Sequence, residues 1–200
     1  WKNDTPVMKP GQVEDLLFHL PLRYQDRTRI TPIAGLQDGS EVSVEGEVRL
    51  ADIVFGRRRS LVARIQDGTG TLTLRFFHFS AAQKNSLQPG ARLYCFGQVR
   101  RGANGFEIFH PEYRVLEPGE PGSATGGAQP ATLTPVYPTT TGIGQAQWRK
   151  LCSQALGFLQ RAQPRDLLPA GSRQPFTLVQ ALQYLHAPPA DDPLDALLEG

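Results

Sequence analysis

Two short stretches of this sequence set aromatic rings beside guanidinium groups: Arg75-Phe76-Phe77-His78-Phe79 and Phe55-Gly56-Arg57-Arg58-Arg59. Neither brings a nucleophile together with a base and an orienting group, so the chemistry on offer is stacking and charge neutralisation rather than bond cleavage. Side chains of an extended chain alternate between faces, so Phe76 and Phe77 point opposite ways. Counting from Thr71 puts Leu72, Leu74 and Phe76 on a core face and leaves Thr73, Arg75, Phe77 and Phe79 on the other. An arginine beside uncovered rings suits stacked nucleobases, and each stacked base contributes about 1–3 kcal/mol. The cations Arg57, Arg58 and Arg59 beside Phe55, with Arg100 and Arg101 at a second turn and Arg64 and Arg92 on outward strand positions, suit phosphates. Contacts of that kind hold register and read no sequence. The competing reading is that the helix after Phe79 or an adjoining domain covers the rings, and that the basic loop is simply solvated.

The elements that would position these residues follow from periodicity. Val13 to Leu20 reads as a short amphipathic helix stopped by Pro21, and an irregular lead-in runs to Gly39. From Glu41 the period becomes two. Val42, Val44, Val48 and Leu50 alternate with Glu41, Ser43, Glu45, Glu47 and Arg49, and Gly46 permits a sharp bend. Leu61, Ala63 and Ile65 mark a second strand, Asp67-Gly68-Thr69-Gly70 a tight turn, and Thr71 to Phe79 a third strand. Ser80 caps a helix over 81–87 that Pro89-Gly90 ends. A fourth strand carries Leu93, Cys95 and Val99 opposite Tyr94, Phe96 and Gln98, and Asn104-Gly105 turns it into a fifth, Phe106 to His110. Three strands, a helix and two strands within 40–116 is the order of an OB-fold, a five-stranded Greek-key barrel whose face and loops bind oligonucleotides.

The fold class is therefore mainly β with flanking helices and a C-terminal helical segment. Residues 1–39 form the helix and lead-in, 40–116 the barrel, 117–131 a Gly/Pro/Ser-rich flexible linker, and 132–200 an extended connector followed by helices. In that last part Leu133 to Pro138 is extended. Gln145 to Arg161 is a helix with Trp148, Leu151, Cys152, Ala155 and Leu159 on one stripe, and Thr177 to Leu185 is a shorter helix closed by Pro188-Pro189.

Two hundred residues with 40% hydrophobic content can bury one ordinary core, and a formal net charge of +2 means that any nucleic-acid surface must come from local clustering of arginine. Cys95 and Cys152 lack paired spacing and the opening residues hold no signal-peptide stretch, so a reduced cytoplasmic protein is expected. No run approaches the length of a membrane helix. His19, His78, His110 and His186 are scattered, without carboxylate or cysteine neighbours at ligand spacing, so no metal site is assigned. The glycine-rich stretches at 67–70 and 141–144 lack the lysine and the full fingerprint of nucleotide sites, so no cofactor is expected within this sequence.

The run His19-Leu20-Pro21-Leu22-Arg23-Tyr24-Gln25-Asp26-Arg27, then Val44-Glu45-Gly46-Glu47-Val48, Arg75-Phe76-Phe77-His78-Phe79 and His110-Pro111-Glu112-Tyr113-Arg114, resembles the wedge domain of RecG-type DNA helicases. Leu133 to Thr140 and Ala181 to Pro189 extend the resemblance toward the motor, so it covers about residues 12 to 190. It implies an excised amino-terminal portion of a bacterial, nucleoid-associated, ATP-dependent helicase that remodels stalled replication forks and Holliday junctions in recombination and DNA repair. ATP and Mg belong, by resemblance, to motor domains whose motifs this sequence lacks, so it has no catalytic residues of its own. The implied partners are branched DNA and the missing motor domains. Phe76 and Phe77 match the wedge aromatics, and alternation favours Phe77 as the ring that caps an exposed base pair. Where some relatives carry a further aromatic this chain has Ala81, so the resemblance does not extend to a two-sided stacking clamp. The alternative function is an OB-fold protein-interaction module whose aromatics are buried against a partner or another domain.

Overall fold

The alternation that begins at Glu41 becomes a closed ring of strands because one face of each strand is apolar, and a bulge between Val48 and Leu50 lets the long first strand of the ring bend around a single core. The computed structural model describes residues 13–117, 132–139, 142–162 and 176–191. In chain order these form α1 (Val13–Leu17), β1 (Arg23–Gln25), β2 (Glu41–Val54), β3 (Ser60–Gln66), β4 (Thr71–Phe76), α2 (Ala81–Ser86), β5 (Arg92–Gly102), β6 (Gly105–Phe109), β7 (Glu112–Leu116), β8 (Thr134–Val136), α3 (Gln145–Ala162) and α4 (Leu178–His186). They fall into two compact units, one of Arg27–Gln129 and the other of Trp1–Asp26 with Pro130–Gly200.

In the first unit the strand order β2-β3-β4-β6-β5 closes when β5 pairs back onto β2. All neighbours are antiparallel except β4 and β6, which run parallel, with Arg75 opposite Phe109. This is the OB-fold. Val44, Val48, Leu61, Ile65, Leu72, Leu74, Leu93, Cys95, Val99 and Ile108 fill the interior. Gly46 fits the bend: a Cβ there would lie 3.2 Å from Ile65 Cβ and from the Gln66 carbonyl oxygen, so a side chain would crowd β3 and push it back by a few tenths of an ångström. The β3–β4 turn is tied down by Asp67, whose carboxylate accepts hydrogen bonds from Ile33 N–H at 2.8 Å, Thr69 N–H at 2.8 Å and Gly70 N–H at 3.0 Å. Partial burial by itself raises this carboxyl, but the donors from Ile33, Thr69 and Gly70 outweigh it and hold Asp67 below the usual carboxylate range.

Three sequence expectations are corrected here. Leu50 is not core. The β2–β3 register shifts between Val48 and Leu50, so the extra residue turns Leu50 outward at 45% exposure and brings Ala51 and Ile53 against the core instead. Ser43, expected on an open face, is buried, because the lead-in lies over it: Thr31 N–H donates to its carbonyl, and its hydroxyl meets Tyr94 Oη at 2.8 Å. In the same lead-in, Arg27 is buried with its guanidinium 3.8 Å above the Phe96 ring and forked onto Glu112 at 2.8 and 3.0 Å. The third expectation concerns strand count: β7 adds a sixth strand outside β5, where alternation had stopped at five. The expected linker, apart from Glu117, lies outside the described residues.

In the second unit, α3 gains the docking partner its apolar stripe requires. Ala155 packs with Leu17 of α1 and Leu182 of α4, and Trp148 and Cys152 pack with Tyr137. The first helix stops at Leu17, three residues before its expected end. The freed Leu17 carbonyl accepts a hydrogen bond from buried His186 Nε2 at 2.8 Å, and His186 Nδ1 then accepts from Tyr137 Oη, also at 2.8 Å. Tyr24 Oη closes the same unit by donating to the Leu185 carbonyl at 2.6 Å. The helix start expected at Thr177 is a capping box with Gln180.

Burial lowers the His186 pKa, because charging the ring would cost it solvation; the hydrogen bond to the Leu17 carbonyl opposes this and nearby His19 adds to it. In an unfolded chain its pKa is about 6.5, so the unfolded state takes up the proton first. The stability His186 contributes is therefore complete above that value and falls away as pH drops below it toward the folded pKa. Thermal unfolding followed by tryptophan fluorescence is expected to show a midpoint that declines between pH 7.5 and 5.5, and a flatter decline in His186→Gln.

Candidate nucleic-acid interface

At one end of the barrel the loop after β2, the end of β4 and the β5–β6 hairpin surround an open groove of about 460 Å³. Arg57, Arg58, Arg75, Phe77, Glu107 and Phe109 line it. Phe55 stands at the tip of the β2–β3 arm with 79% of its surface exposed, and Arg57, Arg58 and Arg59 follow it, all exposed. The loop is set apart because the last pair of β2 and β3, Val54 with Ser60, lies one step beyond the last pair of β3 and β4, Leu61 with Phe76, and this end of β2 and β3 forms a short arm.

The floor of the groove is an ion pair. Arg75 Nε donates to Glu107 Oε2 at 3.0 Å and Nη2 to Oε1 at 3.3 Å, while Nη1 reaches Ser60 Oγ at 3.3 Å. Parallel pairing of β4 with β6 places these two side chains side by side. The carboxylate lies against bare backbone: a Cβ on Gly102 would come within 2.5 Å of Glu107 Oε1. Arg75, expected as a cation beside unburied rings, is thus already matched by a carboxylate, and its pairing makes the floor nearly neutral.

Aromatic residues form the wall. Phe77 is half-buried and meets Phe109 edge-to-face, ring centroids 5.6 Å apart at 70°. Phe109 is 39% exposed, and the Arg100 guanidinium lies 5.6 Å from its centroid. Behind them His110 sits 5.6 Å from the Phe77 ring and 6.0 Å from the exposed His78. Arg101 is exposed at the hairpin, its backbone N–H donating to Asp38.

Two of the residues read as site members lie elsewhere. Phe76 is 2% exposed and contacts Tyr113 edge-on at 5.7 Å, so its ring supports the rim from inside and offers no face to a ligand. This agrees with alternation and not with the family match that included it. Phe79 packs against the barrel core with the Arg59 guanidinium 4.9 Å from its centroid. Alternation had placed it outside, but β4 ends at Phe76 and the chain bends at Phe77 and His78, so the period-two count no longer applies. Phe109, His110 and His78 were not read as interface residues. The signal was present in the topology: once the third and fifth strands of an OB-fold are parallel neighbours, their ends must meet at one rim.

Comparisons with known proteins bear on this geometry. The family model described as the RecG wedge domain matches residues 8–159. The chain is 47% identical over 189 residues to the ATP-dependent DNA helicase RecG of Pasteurella multocida, covering 94% of this chain and 27% of that protein. It is 50% identical over 178 residues to the ATP-dependent DNA helicase RecG of Escherichia coli K12, covering 88% of this chain and 25% of that protein. Among solved structures, that of RecG bound to a three-way DNA junction is similar with a TM-score of 0.69 and 25% identity, over 89% of this chain and 24% of that one. The chain spans about a quarter of the length of the curated relatives it matches.

The floor makes an asymmetric prediction about stability. The Glu107 side chain is 12% exposed and that of Arg75 25%, so removing the cation strands a carboxylate that water barely reaches. Arg75→Ala is expected to lower stability by about 2 kcal/mol, and Glu107→Ala by clearly less, because the freed guanidinium is better placed to reach solvent. Urea denaturation followed by far-ultraviolet circular dichroism measures both.

Proposed function

The chain belongs to the RecG wedge-domain family, and from that premise we propose that its barrel binds branched DNA at the boundary between single strand and duplex. The observation that carries this reading is the groove itself, where the edge-to-face pair Phe77 and Phe109 forms one wall and Arg57 and Arg58 another. Rings on one side and cations on the other match the two demands of an unpaired strand, which needs a stacking surface for its bases and positive charge for its phosphates. A neutral floor between them keeps phosphates at the rim. Sequence preference is expected to be slight, since backbone contacts carry no base code.

The finer reading is that this wedge parts strands at stalled forks and Holliday junctions while an ATP- and Mg-dependent motor, encoded beyond this sequence in the parent protein, pulls duplex toward it. Recombination and repair in the bacterial cytoplasm, near the nucleoid, are the processes this serves. The candidate contacts are Phe77 with Phe109 for stacking, and Phe55, Arg57, Arg58, Arg59, Arg100 and Arg101 for the backbone.

A second reading draws on the arm: Leu50, Val54 and Phe55 are all exposed there, and apolar surface of this kind also suits a protein contact. On that reading the arm is covered by the motor domains or another protein, and single-stranded DNA does not bind at low salt.

Fluorescence anisotropy with labelled fork and plain duplex, repeated over a range of salt concentrations, tests the proposal. Replacing Arg57, Arg58 and Arg59 by alanine together is expected to weaken both ligands alike and to make the logarithmic salt slope shallower by about 2 to 3. Phe77→Ala is expected to cost about 1–3 kcal/mol of fork binding while leaving duplex binding almost unchanged. Equal affinity of the unaltered protein for fork and duplex at every salt concentration would defeat the proposal.

A further inference from the structure

The geometry points to His110 as the residue that positions Phe77, holding the ring at the rim through its backbone; this rests on the reading of Phe77 as the stacking ring.

The difficulty that His110 resolves is one of strand ends. β4 closes at Phe76, so the N–H of Phe77 has left the ladder and has no strand neighbour to accept it. The acceptor is a side chain: Phe77 N–H donates to His110 Nε2 at 3.3 Å. A ring nitrogen that accepts is unprotonated, which places the proton of the neutral imidazole on Nδ1. His110 is itself tied back to the same strand, since its own N–H donates to the Arg75 carbonyl at 2.9 Å. The two bonds clasp the end of β4 from both sides of Phe76.

The backbone of His110 carries a cost that fits such a role. Its φ is +48°, and among the described residues it is the one non-glycine in the left-handed region. A histidine tolerates that region better than branched or bulky residues, though glycine or asparagine would adopt it more readily. What those two residues cannot do is reach. The ring nitrogen that accepts from Phe77 lies two bonds beyond the branch atom, where a glutamine amide oxygen also lies and an asparagine oxygen does not. The ring is further placed by its neighbours, with Phe76 edge-on at 6.2 Å, Phe77 tilted at 5.6 Å and His78 stacked at 6.0 Å.

Substitution at one position separates backbone strain from hydrogen bonding. His110→Asn and His110→Gly both ease the backbone but remove the distant acceptor. His110→Gln keeps an acceptor at the same reach and leaves the strain. If His110 positions Phe77, Asn and Gly reduce the preference for fork over duplex by about two- to ten-fold, the range of one exchanged hydrogen bond, and Gln recovers most of it. If only the backbone conformation mattered, Asn and Gly would match the parent and Gln would be the poorest. Combining His110→Gly with Phe77→Ala supplies the readout that a direct DNA contact by His110 would move: a positioning residue adds nothing once the ring is gone, whereas a contact of its own adds its full effect.

Anisotropy with labelled fork and duplex on the 200-residue chain measures these preferences, and amide hydrogen exchange of Phe77 by NMR reads the bond without DNA. Faster exchange in Asn and Gly, near-parent exchange in Gln and a non-additive double variant are expected. Fork preference that survives Phe77→Ala sinks the reading of Phe77 itself. Preference that falls with Phe77→Ala yet survives both Asn and Gly at position 110, or a fully additive double variant, overturns the positioning role alone.

Discussion

When the third and fifth strands of a five-stranded ring run side by side in one direction, both finish at the same rim. That parallel pairing, Thr73 with Glu107, Leu74 with Ile108 and Arg75 with Phe109, is the constraint on which the candidate interface depends. It sets Arg75 beside Glu107 to make the floor, Phe77 beside Phe109 to make the wall, and His110 within reach of the N–H that β4 leaves behind. The residues involved are some thirty positions apart in sequence. Local propensity cannot bring them together; the closed barrel can, and its buried aliphatic core keeps them there.

Charge is divided within the groove in a way that composition conceals. The whole chain carries a formal net charge of +2, too little to act as a general polyanion binder. Arg75 does not raise the local potential, because Glu107 takes two of its donors. The positive field comes from the arm, where Arg57, Arg58 and Arg59 are exposed, and from Arg100 across the groove above Phe109. A strand laid in such a groove meets cations at its margins and a neutral pair below. On the proposed reading, that arrangement would draw phosphates outward and turn bases toward the rings, a preference that needs no base-specific hydrogen bond.

Most of the fold was legible in the sequence, because the barrel relies on signals that are local. Period-two alternation marked the five ring strands, Asp67-Gly68 and Asn104-Gly105 marked turns, and the Ser80 cap marked a helix start. The rest depended on events that no period announces. One extra residue at Arg49 reversed Leu50, and the end of β4 at Phe76 released Phe79 to turn back onto the core. The interface was half legible for the same reason. Phe77 and the arm arginines could be found by their local pattern, whereas Phe109 and His110 join them only through the register of a parallel pair. Family motifs were specific enough to identify the family, yet motif matching drew Phe76 into the interface, where alternation had correctly kept it in the core.

Phe76 nevertheless has a part in what Phe77 can do. If Phe77 is to separate paired bases, as proposed, its ring must stay in place when loaded, and Phe77 is the first residue beyond its strand, where local opening is cheapest. To swing away, it would have to pull on Phe76, whose ring is sealed among core residues and braced edge-on by Tyr113. It would also have to slide off Phe109 and give up the acceptor on His110. Each of these contacts is modest, but they constrain different directions, so yielding in any one of them strains the other two. Rigidity at the rim therefore comes from the buried neighbour as much as from the exposed ring. Adjacent aromatics on opposite faces of one strand are an economical way to join a surface group to a core.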